Sequence, residues 1–62
     1  MHMARCDIKD DEGIEIAKLL YNNKTVRKLE LEGNNLGPKT AKELAKALKY
    51  NKTLHYLDLE SN

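Results

Sequence analysis

Tryptophan and phenylalanine are absent from this 62-residue chain, and cysteine and proline occur once each. Each shortage closes a route. A single cysteine, Cys6, cannot form an internal disulfide, and with two histidines it makes a poor ligand set for a metal. No apolar run approaches the roughly 20 residues that span a bilayer, and no signal-peptide core is visible. Neither sign of charge dominates, since 11 basic side chains oppose 10 acidic ones for a net charge of +1. Bulk electrostatics therefore recruits neither nucleic acid nor an anionic membrane, and neither is expected as a partner. A lone thiol without a targeting segment suggests a cytoplasmic setting. A chain this small buries only roughly 60% of the surface its unfolded form exposes, so the core needs a supplement. With disulfides and metals set aside, self-association is the supplement that remains.

What is present is one phrase written twice. Shifted by 28 residues, the sequence overlays Leu29 on Leu57, Leu31 on Leu59, Glu32 on Glu60 and Asn34 on Asn62. The tripeptide Asn23-Lys24-Thr25 likewise falls on Asn51-Lys52-Thr53. In all, 11 of the 34 overlapping positions are identical, far above chance. Conservative pairs such as Ile16 with Leu44 and Glu30 with Asp58 extend the match.

Within a period the pattern changes from strand to helix. Leu29-Glu30-Leu31-Glu32 alternates apolar and charged residues, as a strand with one buried face does. Gly33-Asn34-Asn35 is turn chemistry. Pro38 then stands at the favoured first helical position, and Ala41, Leu44, Ala45 and Leu48 recur at the spacing of one helical face. In the earlier period Asp10, Asp11 and Glu12 suit a helix N-terminus, and Gly13, Ile16, Ala17 and Leu20 form the matching face. The expected elements are helices over 10–22 and 38–50 and strands near 29–32 and 57–60, with Asn23 and Asn51 ending the helices. Such a unit covers its apolar face only by stacking on copies of itself.

"VRKLELEGNNL" (26–36) fits L-x-x-L-x-L-x-x-N-x-L at every fixed position, and "LHYLDLESN" (54–62) begins the pattern again. In this the chain resembles the leucine-rich repeat family. The 28-residue period and the helical continuation "LGPKTAKELAKALKYNKTL" are similar to the ribonuclease-inhibitor-like subclass. The resemblance implies an α/β solenoid with short parallel strands on the concave side and helices on the convex side, truncated here. The repeats would run 1–28 and 29–56, with a third begun at 57–62. Met1 and Met3 fall on the strand's leucine positions, within an opening Met-His-Met that reads as a vector-derived leader. The resemblance also implies that Asn34 and Asn62 form a structural ladder between neighbouring turns. Cys6, their register mate, is expected there as a small buried residue.

The strand residues pointing away from the core are Lys28, Glu30, Glu32, Tyr56, Asp58 and Glu60. In register they make an anionic strip with a lysine and a tyrosine at one rim, on the face where the family binds proteins. Such a strip either keeps the strand face soluble or receives a partner protein with a basic surface. Lys39, Lys42, Lys46 and Lys49 line one stripe of the second helix, read as a solvated face because arginine and stacking aromatics are missing from it. Ile14, Tyr21 and Tyr50 are candidates for an apolar patch used in self-association.

Asn-Lys-Thr satisfies the N-glycosylation sequon twice, although the repeat itself supplies Asn and Thr at these places. No His, Cys, Ser or carboxylate stands at a spacing that suggests catalysis, and no phosphate-binding loop appears. The expectation is a cofactor-free, non-enzymatic binding module. The alternative is a structural or self-associating repeat fragment with no ligand of its own. Its open ends should drive formation of a homo-oligomer, with twofold pairing of the 57–60 edges preferred because it closes.

Overall fold

The computed structural model describes residues 1–62 and orders them as α1 (Asp10–Leu20), β1 (Lys28–Glu30), α2 (Pro38–Tyr50) and β2 (Tyr56–Asp58). The strands are parallel, with Lys28 paired to Tyr56, Leu29 to Leu57 and Glu30 to Asp58. A parallel pair requires a crossover, and α2 supplies it. Residues 1–5 lie along the opposite edge of β1: Met3 N–H donates to Glu30 O, Glu30 N–H to Met1 O and Arg5 N–H to Glu32 O, each at 2.9 Å. The opening residues thus hold a strand's place, and Met3 packs against the core. No helix is long and apolar enough to cross a membrane.

Both strands begin and end earlier than the expected 29–32 and 57–60. Regular pairing starts with Lys28 and Tyr56 and stops before the turn at Gly33, although Leu31 N–H and Gly33 N–H still donate to Asp58 O and Glu60 O. The first helix ends at Leu20, with Tyr21 as its cap, rather than at residue 22.

The core is aliphatic: Ile8, Ile16, Ala17, Leu20, Leu29, Leu31, Leu36, Leu44 and Ala47 are all buried. Leu29 and Leu31 are wholly shielded under the helices, so at about 25 cal/mol per Å² these strand leucines are among the largest contributors to stability. The face expected for α2 is only partly the buried one. Thr40, Leu44 and Ala47 are buried toward α1, while Ala41, Ala45 and Leu48 are exposed. Their register mates Gly13, Ala17 and Leu20 are buried because α2 lies over them, whereas no third helix lies over α2.

The seam between the helices is tight at Gly13, where a Cβ would stand 2.4 Å from Thr40 Oγ1 and 2.6 Å from Leu36 Cδ2. It is also bonded across. Gly37 caps α2 without a side chain, and Asp10 of α1 supplies the missing acceptor: its Oδ1 receives the N–H groups of Gly37 at 2.8 Å and Thr40 at 3.1 Å. Gly37 permits this approach, since a Cβ there would lie 2.6 Å from Asp10 Oδ2. The first helix starts more conventionally, with Glu12 Oε1 accepting from Lys9 N–H.

Candidate functional site

Strand alternation sends Leu29, Leu31 and Leu57 toward the helices and leaves Lys28, Glu30, Tyr56 and Asp58 on the opposite face. Parallel pairing then sets them side by side, Lys28 next to Tyr56 and Glu30 next to Asp58. The Lys28 ammonium stands 5.1 Å from the centre of the Tyr56 ring, a cation–π arrangement at one rim of the strip. Past the pair of acids, Glu32 and Glu60 lie in the turns beyond the two strands, where Gly33 N–H bonds to Glu60 O.

The acids differ in their partners. Glu30 is largely covered, and its Oε1 lies 2.9 Å from His2 Nδ1. Asp58 is half-buried and turns Oδ1 to Glu60 N–H at 3.0 Å. One carboxylate oxygen of Glu32 is shielded from solvent, yet no donor of the chain reaches it. An acceptor left so costs about 1–3 kcal/mol. His2, read in the sequence as part of the vector-derived opening, is set beside Glu30 by the same 28-residue shift that sets Glu30 beside Asp58.

Beyond the strip, two asparagines stitch successive turns. Asn34 Oδ1 accepts from the N–H groups of Cys6 at 2.9 Å and Ile8 at 3.0 Å, and its Nδ2 donates to Met3 O and Leu31 O, both at 2.8 Å. Asn62 acts likewise one period on, accepting from Leu36 N–H and donating to Leu31 O and Leu59 O. The expectation of a buried Cys6 is corrected: its side chain is exposed, and the thiol donates only to Ala4 O at 3.3 Å. Its place in the ladder is held by the backbone N–H, because no neighbouring turn packs over residue 6.

A second stitch, not foreseen, joins the helix ends. Asn51 Nδ2 donates to Leu20 O at 2.7 Å and Asn23 O at 3.0 Å, while its Oδ1 accepts from Thr53 and Leu54 N–H. Asn23 makes the matching local turn, accepting from Thr25 and Val26 N–H. The repeated Asn-Lys-Thr carried this signal.

The lysine stripe of α2 is exposed throughout. Tyr21 and Tyr50 pack with ring centres 5.6 Å apart, and with Asn22, Lys46 and Lys49 they line an open hollow of about 630 Å³. Ile14 is half-buried and does not line that hollow.

The family model described as Leucine Rich repeat matches residues 22–45 and 50–62, more than half of the chain. No curated protein and no solved structure matches it.

Proposed function

Because the chain belongs to the leucine-rich repeat family, we propose that it serves as a protein-interaction module whose concave acidic strip receives a basic segment of a partner protein. Repeats of this family are generally interaction modules and are typically not enzymes. The observation that carries the reading is the side-by-side placement of the Glu30 and Asp58 carboxylates, with Lys28 beside Tyr56 at one rim. Lysine or arginine side chains from a partner would supply the opposite charge. The strip is held by paired backbone, so little order is lost when it is occupied. The 28-residue period and the helical convex side support assignment to the ribonuclease-inhibitor-like subclass, and the single free thiol suits a cytoplasmic setting.

The test is a titration of the isotopically labelled chain with a lysine- and arginine-rich peptide, followed by backbone amide shifts. Shifts confined to 28–32 and 56–60 that fade as salt rises support the strip. Shifts that persist when Glu30, Glu32, Asp58 and Glu60 are all reversed to lysine remove it.

A second reading has its own observation. Ala41, Ala45 and Leu48 on α2 and the outer edge of β2 are uncovered, which favours self-association through the open ends, whether or not a ligand is bound.

A further inference from the structure

The two helices carry opposite charge. α1 holds Asp10, Asp11, Glu12 and Glu15 against Lys18, a net of −3, and α2 holds Lys39, Lys42, Lys46 and Lys49 against Glu43, a net of +3. They meet along a seam formed by Gly13, Ile16, Ala17 and Leu20 on one side and Thr40, Leu44 and Ala47 on the other. A shift of 28 residues turns each side of that seam into an unused surface. On the far flank of α2, Ala41, Ala45 and Leu48 stand where Gly13, Ala17 and Leu20 stand on α1, and all three are exposed. On the outer flank of α1, Glu12, Glu15 and Leu19 stand where Thr40, Glu43 and Ala47 stand on α2, and Leu19 is 69% exposed.

The strand edges complement each other in the same sense. Residues 1–5 bond to β1 alone, and β2 likewise bonds to β1 alone, so each has one free edge of parallel direction. The charges complement as well. Lys42 is the register mate of Ile14 and Glu15 that of Glu43, and Ile14 and Glu43 are both half-buried beside the seam. A copy of that seam formed between two molecules therefore faces Lys42 of one with Glu15 of the next.

We propose that the chain assembles head to tail with a second copy of itself, the far flank of α2 and the free edge of β2 receiving α1 and residues 1–5 of the next molecule. This rests on the reading that the open ends associate, and it names the surfaces. Twofold pairing of the α2 flanks would set Lys42 against its own copy with no acid on that flank, since Glu43 is half-buried beside the seam and pairs with Lys46. Head-to-tail stacking sets base against acid and continues a seam the chain already makes. Leu19 in the place of Ala47, and Glu12 in that of Thr40, make the contact between molecules looser than the one within. Being heterologous, it propagates beyond two copies, into a ring or an open filament.

Sedimentation of the 62-residue chain over a range of concentrations tests this, together with the variants K42E and E15K. Neither side chain makes an ion pair or hydrogen bond within the chain, and circular dichroism should show both variants folded. The wild-type mean mass should rise with concentration beyond twice the chain mass and fall as salt increases. Each variant alone should associate about tenfold more weakly, and an equimolar mixture should assemble again past twice the chain mass. Assembly that stops at twice the chain mass, or E15K associating as the wild type does, overturns the head-to-tail geometry while leaving self-association standing. A wild-type chain that stays monomeric at every concentration overturns both.

Discussion

The carboxylate of Asp10 caps a helix it does not belong to: Asp10 Oδ1 accepts the hydroxyl of Thr40 at 2.6 Å and its backbone N–H at 3.1 Å, across the seam between α1 and α2. A carboxylate at a helix N-terminus is favoured by both the free N–H groups and the helix dipole. The Thr40 hydroxyl, then the Gly37 N–H, accordingly hold the Asp10 carboxyl below its ordinary value of 3.8.

A depressed carboxyl favours the folded state above the unfolded pKa and loses that contribution as pH falls through the folded one. Thermal melts between about pH 5 and pH 2 should therefore show the wild type losing melting temperature on acidification more steeply than Asp10→Asn. Parallel curves would mean that the Asp10 charge does not contribute.

Asn34→Ala should unfold the chain or nearly so. It removes four hydrogen bonds and strands polar groups of Met3, Cys6 and Ile8, while Leu31 O keeps the bond from Asn62 Nδ2. The cost is about 3–5 kcal/mol, against a total stability of roughly 3–9 kcal/mol for a chain this long. Asn62→Ala, at an exposed turn, should cost markedly less. Denaturant titration of the two variants measures the contrast.

Gly13→Ala should destabilise although alanine is the better helix former. The added methyl would meet Thr40 and Leu36 well inside contact distance. Overpacking of this kind costs about 1–3 kcal/mol, outweighing the roughly 1 kcal/mol gained in propensity. The denaturation midpoint should fall, and a midpoint that rises would show that the seam yields.

Asn51 should remain unmodified when the chain passes through a glycosylating secretory route, despite its sequon. Its Nδ2 is buried and donates to Leu20 O and Asn23 O, so a glycan there would break the stitch between the helix ends. Intact mass and peptide mapping provide the measurement.

The repeat was legible because its leucines are spaced by backbone geometry: Leu29 and Leu31 must face one way on a strand, and their recurrence at 57 and 59 sets the register. The pairing of Lys28 with Tyr56 followed from the same shift. What stayed hidden depends on which neighbour is present. Ala41, Ala45 and Leu48 look like core in the sequence because their mates in α1 are core, and only the arrangement shows that no helix lies over them. Backbone conformation was hidden for a different reason. Gly33 announces a left-handed residue after the strand, but Arg5 and Ser61, its mates in register, adopt the same positive φ without glycine. The cap from Asp10 to Thr40 spans 30 residues and two helices, beyond the reach of local capping rules.

The asparagine stitches also govern how the molecule comes together. Their cross-turn bonds join residues 26 to 31 positions apart, about half the chain, as does the bond from Asp10 to Thr40. Chain closure must then be met before most of these contacts reward it, and neither period holds them alone. A polypeptide this short would ordinarily assemble from its helices outward. This one should instead acquire its two turns in a single concerted event, and a cut in the loop between β1 and α2 should dissolve both halves together.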